Sequence, residues 1–355
     1  MTLTYYKEEL ERTARSLSRS GSGILAIDES PRTCGKRFDA IKLENTPKNR
    51  RDYRRLLLST ADLEKYISGV ILHEETLYQD AEDEEFLAKK LQDRGIIPGV
   101  KVDQGLSDLT GGITGETYTS GIEGLVNRCK AYYDQGARFA KWRAVLKITS
   151  NGAPSELAIS ENAWGLARYA RCAQEAGLVP IIEPEILMDG DHPLKHTALV
   201  QEVVIKAVYD ACDVNNVYLE GTLLKPSMTL PGVDSKESVS AQEIAQATVR
   251  VMEHSVPASV PGVVFLSGGL SEEAASIYLN EINKCDKRGK WNLAFSFGRA
   301  LQQSCLKSWA GENVQEGQKG LIARATANSE AALGQYDPGS QPSSDEKLFI
   351  AGYTY

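Results

Sequence analysis

The sequence predicts an α/β protein, a (β/α)8 barrel in a single domain. Short apolar runs recur eight times along the 355 residues, and stretches with helical spacing separate them. Ionisable residues stand at the ends of several runs, roughly one strand–helix unit apart. Periodicity alone also allows a doubly wound open sheet, but no glycine-rich dinucleotide fingerprint follows the first run. The barrel is therefore the favoured architecture.

The eight predicted strands are short and nearly continuous in apolar character. They cover residues 23–27, 69–72, 96–102, 138–142, 178–182, 217–219, 262–266 and 293–297. Strands of this kind are expected where helices cover one face of a sheet and a packed interior covers the other. This composition favours a parallel sheet.

Helix-start signals stand between the runs. Thr46 followed by Pro47 predicts an N-cap and a first-turn proline. Residues 161–176 carry small, apolar and charged side chains at helical spacing. Ser240 and Glu243 have the spacing of a capping box ahead of a further helix. Strand and helix thus alternate along the chain.

No linker or repeat divides the chain, so we expect one domain over residues 1–355. Residues 336–355 are rich in proline, glycine, serine and acidic residues. This composition predicts a flexible C-terminal tail.

Composition excludes several classes of function. The net charge of −8 argues against nonspecific binding to nucleic acid or to an acidic membrane. No apolar run approaches the roughly 20 residues that span a bilayer. The six cysteines are scattered without a C-x-x-C pair, which favours a reducing compartment over a zinc or dithiol site. The N-terminus does not resemble a secretory signal, so we expect a cytoplasmic protein, or an organellar one whose transit peptide has been removed.

Charged residues cluster where the predicted strands end. They are Asp28, Lys101, Asp103, Lys141, Arg143, Glu183, Glu185, Lys225 and Arg299. Taken singly, each could be a solvated side chain or a helix cap. Closing the barrel would bring them to one rim, so together they predict a pocket rich in lysine, arginine and carboxylate.

Lys225 is the candidate nucleophile in this pocket. The run LEGTLLKP, residues 219–226, delivers its ammonium group to a strand end beside apolar residues. Burial and a neighbouring cation such as Lys141 both favour the neutral amine, which can form a Schiff base with a ketone. A salt bridge from Lys225 to Glu183 or Glu185 would give the same sequence pattern.

Glu183 and Glu185 stand two residues apart, which places them on the same side of an extended strand. Two close carboxylates tend to differ in proton affinity, as acid–base chemistry on a carbinolamine requires. Helix capping or ion pairing is the alternative.

Two glycine-containing turns suggest a phosphate site. Ser267, Gly268 and Gly269 follow one predicted strand, and Gly298 with Arg299 follows the next. Exposed backbone N–H groups, a helix N-terminus and a guanidinium are suited to binding phosphate, and barrels commonly bind phosphate after strands seven and eight.

His192 and His196 are four residues apart, a spacing that two metal ligands can have, but the surrounding sequence predicts a loop and offers few other histidines. We expect a solvated histidine pair and no metal site.

The chain resembles the class I fructose-bisphosphate aldolases from about Tyr6 to Tyr355. The matching motifs, in order, are GILAIDES (23–30), GVKVD (99–103), FAKWR (139–143), PIIEPEIL (180–187), LEGTLLKP (219–226), FLSGG (265–269) and SFGRA (296–300). The resemblance implies a homotetrameric barrel that uses a covalent Schiff base and no metal or other cofactor. Residues 33–37 and the GYTY ending are similar to plastid forms, so the resemblance implies either the cytosol or the chloroplast stroma.

The resemblance also implies roles for the catalytic residues. Lys225 would form the Schiff base, and Glu183 would handle the protons of carbinolamine dehydration with support from Glu185 and Lys141. Asp28 would accept the proton of the C4 hydroxyl. Tyr355 matches a terminal tyrosine that exchanges a proton at C3.

The substrates implied are sugar bisphosphates and triose phosphates. For the dihydroxyacetone-side phosphate, the resemblance implies Ser267, Gly268 and Arg299. For the other phosphate it implies Ser30, Thr33, Lys101 and Arg143, with Arg37 a neighbour in the same motif. Thr33 stands where serine is common in the family, and Gln104 where lysine is common.

Two alternatives to fructose 1,6-bisphosphate cleavage remain at this stage. One is a preference for sedoheptulose 1,7-bisphosphate, which would use the same residues. The other is a noncatalytic scaffold that keeps a phosphate-rich pocket, although all the residues of the mechanism are present.

Overall fold

The computed structural model describes residues 2–79, 87–286, 289–344 and 346–352. The strands in this part of the chain are β1 (Gly23–Ile27), β2 (Ile67–Leu72), β3 (Ile97–Lys101), β4 (Leu106–Asp108), β5 (Thr117–Thr119), β6 (Phe139–Leu146), β7 (Val179–Ile186), β8 (Leu223–Leu224), β9 (Gly262–Phe265) and β10 (Asn292–Phe297). The helices are α1 (Thr2–Leu17), α2 (Pro31–Asp39), α3 (Pro47–Leu58), α4 (Glu74–Leu77), α5 (Leu87–Asp93), α6 (Leu125–Asp134), α7 (Glu156–Glu175), α8 (Leu194–Val214), α9 (Ala241–Ser255), α10 (Glu272–Lys284), α11 (Arg299–Trp309) and α12 (Val314–Ala332).

Eight parallel strands close into a barrel in the order β1, β2, β3, β6, β7, β8, β9, β10 and back to β1. The strands β4 and β5 form a separate antiparallel pair between β3 and β6. The predicted (β/α)8 architecture is confirmed, and the open doubly wound sheet is excluded. Within the described residues, no helix is both long and apolar enough to cross a membrane.

One predicted strand is wrong. Residues 217–219 do not pair in the sheet; the chain forms a short 3-10 turn at Leu219–Gly221, and the strand β8 follows at Leu223–Leu224. The Gln174 side chain accepts a hydrogen bond from the Tyr218 N–H and donates to the Tyr218 and Gly221 carbonyls. The backbone of this apolar run is therefore satisfied by a side chain of α7 instead of by a neighbouring strand.

Helix α1 closes the amino-terminal end of the barrel. Its buried side chains Leu10, Ala14 and Leu17 belong to the same apolar cluster as the inward-facing side chains of the barrel strands. A larger cluster fills the layer between the strands and the outer helices. Because α1 closes the amino-terminal end, the barrel is open at the carboxyl ends of its strands.

The predicted helix signals hold. The Thr46 side chain accepts a hydrogen bond from the Asn49 N–H at the start of α3. Ser240 and Glu243 make both bonds of a capping box at the start of α9. The predicted helix at 161–176 belongs to α7, which begins five residues earlier, after the N-cap Ser155.

The described part of the C-terminal segment, residues 336–344 and 346–352, contains no helix or strand. The Tyr336 hydroxyl donates to Glu273, and the Ser344 N–H donates to Glu272. The start of the predicted tail is thus attached to the first turn of α10. Its flexibility stays a prediction.

Candidate active site

The charged residues predicted at the strand ends meet inside the open end of the barrel. Lys141 and Arg143 lie two residues apart on β6, and Glu183 and Glu185 do so on the neighbouring β7, where Arg143 pairs in register with Glu183. Alternate residues of a strand share one face, so each pair points into the barrel. Both strands run four residues beyond their predicted ends. The predicted strands end just before Arg143 and Glu183, but these charged side chains are paired inside the barrel and the strands continue past them.

Four of these residues form a continuous chain of ion pairs. Lys225 Nζ lies 3.3 Å from Glu183 Oε1, and Lys141 Nζ lies 3.3 Å from Glu183 Oε2 and 2.7 Å from Asp28 Oδ2. Each of the four side chains is at most 3% exposed. Two ammonium groups and two carboxylates balance in charge, which is the condition for burying them together. The salt bridge that the sequence allowed as an alternative therefore forms between Lys225 and Glu183, and it involves the same lysine that is the candidate nucleophile.

Asp28 is held as a carboxylate. Burial favours the neutral acid, but the cations Lys141, Lys225 and Lys101 outweigh it and hold the pKa of Asp28 well below its ordinary value. An ionised carboxylate next to the candidate nucleophile can accept a proton from a bound ligand.

Glu185 pairs separately, with Arg143. Arg143 Nε lies 2.5 Å from Glu185 Oε2, and both side chains are buried. Burial raises the pKa of Glu185, but Arg143 reverses this effect and the pKa lies below the ordinary value. Glu183 is thus the carboxylate that touches both lysines, while Glu185 is occupied by arginine.

The predicted phosphate site lies beside Lys225. One cavity is lined by Lys225, Ser267, Gly268, Arg299 and Arg37, together with Asp28 and both glutamates of β7. Gly268 and Gly269 have φ values of +56° and +99°, a backbone conformation that L side chains rarely adopt. Glycine therefore allows the tight turn after β9 that places Ser267 at the cavity.

The residues implied for the second phosphate lie elsewhere on the rim. Ser30 caps α2, and its hydroxyl lies 3.1 Å from that of Thr33. Lys101 Nζ lies 2.6 Å from Asp103 Oδ1 at the end of β3. Ser30, Thr33, Lys101 and Arg143 do not line the cavity beside Lys225, whereas Arg37 does. Arg37 is thus grouped with the first phosphate site and not with its neighbours in sequence.

Two features of the site were not predicted. Glu29 lines the cavity and binds two arginines, although nothing beyond its position after Asp28 indicates this in the sequence. The tail also reaches the phosphate turn: the Leu348 N–H donates to the Gly269 carbonyl at 3.2 Å, and Arg299 donates to the Leu348 carbonyl. Tyr355 lies outside the described residues.

The expectation for the histidine pair is half wrong. His196 is exposed, but His192 is buried and its Nδ1 lies 2.9 Å from the Thr197 hydroxyl. The ring packs at the junction between the loop and α8, which sequence spacing alone does not indicate. In the parts of the chain that the structure describes, no group of three or more His, Cys, Asp or Glu residues is arranged to hold a metal ion.

Comparison with known proteins agrees with this geometry. A model of the class I fructose-bisphosphate aldolase family matches residues 9–355. The chain is 53% identical over 351 residues to the cytosolic fructose-bisphosphate aldolase 4 of Arabidopsis thaliana, which covers 98% of this chain and 89% of that protein. It is 49% identical over 353 residues to the chloroplastic aldolase 3 of the same plant, covering 99% of this chain and 87% of that protein.

A solved structure shows the same fold. The fructose-bisphosphate aldolase of Plasmodium falciparum, crystallised with TRAP and a small-molecule inhibitor, superposes with a TM-score of 0.92 at 49% identity, covering 94% of this chain and 97% of that one. The ion-paired lysines at the mouth of a plugged barrel and the match over nearly the whole sequence lead to one conclusion. This chain belongs to the class I fructose-bisphosphate aldolase family.

Proposed function

We propose that this protein cleaves fructose 1,6-bisphosphate reversibly to dihydroxyacetone phosphate and glyceraldehyde 3-phosphate, through a Schiff base on Lys225. The observation that carries the proposal is the buried chain Lys225–Glu183–Lys141–Asp28. It puts a nucleophilic amine, a carboxylate that touches it and a second, ionised carboxylate within one cavity, in a member of this family.

Schiff-base formation needs a neutral amine and a proton donor. Glu183 contacts Lys225 Nζ and accepts the proton of the ammonium group. The amine then attacks the C2 carbonyl to give a carbinolamine. Glu183 returns the proton to the C2 hydroxyl, which leaves as water, and the iminium remains.

Cleavage needs a base at the C4 hydroxyl. Asp28, kept ionised by its lysine neighbours, accepts that proton. The electrons of the C3–C4 bond move to the iminium as the aldehyde leaves, which gives an enamine on Lys225. Protonation at C3, a role proposed for Tyr355, and hydrolysis of the iminium by water release dihydroxyacetone phosphate and restore the amine.

The phosphates orient the ketose. The turn Ser267–Gly268 and the guanidinium of Arg299, at the first residue of α11, supply donors beside Lys225. Ser30 and Thr33 at the start of α2, with Lys101 and Arg143, supply the second phosphate site.

We further propose a homotetramer that acts without a metal or other cofactor, in the cytosol or the chloroplast stroma. The family's Schiff-base chemistry polarises the ketone covalently, so it needs no Lewis acid. The related plant proteins include both cytosolic and chloroplastic forms.

Borohydride trapping tests the reaction. The protein is incubated with dihydroxyacetone phosphate and a chelator, reduced with borohydride, and the adduct is mapped by peptide mass spectrometry. We expect a single adduct, on Lys225, and no effect of the chelator.

The matched controls are two lysine variants. Lys225→Met should give no adduct and no cleavage, whereas Lys147→Met, at an exposed lysine of the same rim, should keep both. Cleavage without an adduct, abolished by the chelator, would show that a metal polarises the ketone. Unchanged turnover in Lys225→Met would also refute the proposal.

A further inference from the structure

Glu29 is a buried carboxylate at the cavity for which the proposed chemistry gives no role. It follows Asp28 at the end of β1, and its side chain is 2% exposed. It lines the cavity that also contains Lys225 and Arg299. Because a buried charge is costly unless it is paired, its partners indicate what it does.

Three helices contribute a partner to this one carboxylate. Arg37 of α2 pairs with Oε1, and Arg54 Nη2 of α3 lies 2.7 Å from Oε2. Gln302 of α11 donates from Nε2 to Oε1 at 3.1 Å. Burial raises the pKa of Glu29, but Arg37 and Arg54 outweigh it, and the carboxyl is held ionised below its ordinary pKa. Glu29 is therefore a fixed negative charge.

The charge balance of the group directs a positive charge into the cavity. One carboxylate and two guanidinium groups leave a net charge of +1. Arg54 is 2% exposed and does not line the cavity, whereas Arg37 is 15% exposed and does. A Glu29–Arg37 pair alone would be neutral. Because Arg54 adds a second positive charge to the group, the group as a whole still attracts an anion on the side where Arg37 lines the cavity.

The same carboxylate also contacts the helix that carries Arg299. Gln302 lies in the first turn of α11, three residues after Arg299, and its amide also donates to the Ala26 carbonyl at 2.8 Å. The Tyr53 hydroxyl donates to its oxygen at 3.1 Å. Both arginines that line the cavity are thus linked to Glu29, Arg37 directly and Arg299 through its helix.

We propose that Glu29 is a positioning residue for phosphate. It holds Arg37 against the dihydroxyacetone-side phosphate, beside Ser267 and Gly268, and steadies Arg299 through Gln302. This inference rests on the proposed function and deepens it, because it assigns Arg37 to the first phosphate site.

The test separates phosphate binding from chemistry. Adduct formation on Lys225 is measured as a function of dihydroxyacetone phosphate concentration, and again with dihydroxyacetone, which has no phosphate. In Glu29→Gln we expect the half-saturating concentration of dihydroxyacetone phosphate to rise about tenfold and the maximum amount of adduct to stay the same. Trapping of dihydroxyacetone should be unchanged.

Glu75→Gln is the matched control. Glu75 binds Arg50 through both carboxylate oxygens, and Arg50 lies on the same helix as Arg54, but neither residue lines the cavity. This variant should behave as wild type. If Glu29→Gln does not fold, Glu29→Asp keeps the charge but is one methylene too short to hold both arginines, and a smaller rise is expected.

Two outcomes overturn the inference. One is an unchanged half-saturating concentration in both Glu29 variants. The other is an equal loss of adduct formation with dihydroxyacetone phosphate and with dihydroxyacetone, which would mean that Glu29 only maintains structure. Titration calorimetry with inorganic phosphate tests the role of Glu29 separately from the proposed function. If wild type gave no adduct, the Schiff-base proposal would fail. Weaker phosphate binding in Glu29→Gln would still support the positioning role of Glu29, and unchanged binding would refute that role.

Discussion

At the scale of single residues, Glu183 has the central position. It is the carboxylate shared by Lys141 and Lys225, while Asp28 contacts Lys141 from the other side. Because the four charges cancel only as a set, removing one leaves an uncompensated charge in a site that water barely reaches. Stability and catalysis are therefore coupled here, and one substitution should change both.

Lys141→Met tests this coupling. It removes the cation that contacts both Asp28 and Glu183 and leaves two buried carboxylates with Lys225, so we expect the free energy of unfolding to fall by about 3–5 kcal/mol. Lys141 also contacts Glu183, the carboxylate proposed to exchange protons with Lys225, so kcat should fall by about a hundredfold or more. Thermal unfolding and a cleavage assay measure the two effects. Lys147→Met is the exposed-lysine control, and a Lys141→Met enzyme with wild-type stability would contradict the coupling.

The Arg143–Glu185 pair predicts a pH dependence of stability. The folded-state pKa of Glu185 lies below its ordinary value of 4.5, because Arg143 outweighs burial. The pair's contribution is thus complete above the unfolded-state pKa and is lost as pH falls through the folded-state value. The difference in Tm between wild type and Glu185→Gln should be widest near neutral pH and narrow from about pH 5 to pH 3.

Calorimetry over that pH range measures the two Tm values. Glu123→Gln, at an exposed glutamate, should keep a constant difference from wild type. A Glu185→Gln difference that does not change with pH would show that the pair is not what holds this carboxyl ionised.

The sequence predicted the charged residues of the site better than their pairing. Asp28, Lys141 and Lys225 were predicted because each stands at the end of an apolar run, which is a local signal. The partner of Arg37 was not predictable, because Glu29, Arg54 and Gln302 come from three separate segments that only the closed barrel brings together.

At the scale of elements, a strand was mispredicted where a side chain takes the backbone hydrogen bonds that a neighbouring strand would otherwise make. Residues 217–219 have strand composition, but Gln174 takes their backbone hydrogen bonds, and the true strand β8 has only two residues. A side chain in this role leaves no periodic signal in the sequence. Helix α1 was not predicted although its buried residues Leu10, Ala14 and Leu17 do stand at helical spacing; what the spacing alone does not indicate is that this apolar face closes a barrel.

Leu10→Ala tests the role of α1 as a plug. Leu10 is fully buried among the inward-facing side chains of the barrel, so its truncation leaves a cavity and should cost about 2–5 kcal/mol of stability. The active site lies at the other end, so KM should not change. Thermal unfolding and steady-state kinetics measure both, with Tyr5→Ala, at an 83% exposed side chain of the same helix, as control. An unchanged Tm would mean that α1 contributes little to closing the barrel.

At the scale of the whole molecule, the barrel follows from a repeated local pattern. Eight apolar runs alternate with helices, and parallel strands joined in this way have few compact arrangements. The course of the C-terminal segment was not predictable in the same way. Residues 336–344 are attached to α10 through Glu272 and Glu273, two glutamates that resemble ordinary first-turn acidic residues in sequence.

The outer surface suggests where copies of the chain meet. Several large apolar side chains are exposed on the outer faces of the neighbouring helices α7 and α8. They are Leu157, Trp164, Leu199, Val203 and Val214, with exposures from 44% to 65%. Large apolar side chains exposed on adjacent helices are candidates for a surface that another protein covers, and we expect a second copy to cover them in the tetramer proposed for this chain.

Leu199→Asp combined with Val203→Asp tests that surface. The two residues lie one helical turn apart on α8, each 54% exposed, and two carboxylates there would have to lose water without partners in a contact between copies. Because they are exposed in the single chain, its Tm should change little once dissociation is accounted for. Sedimentation velocity should show a shift from tetramer to smaller species, with Leu333→Asp, at an exposed leucine just after α12, remaining tetrameric. A double variant that stays tetrameric would move the interface to another face of the barrel, while a wild type that sediments as a monomer would refute the tetramer itself.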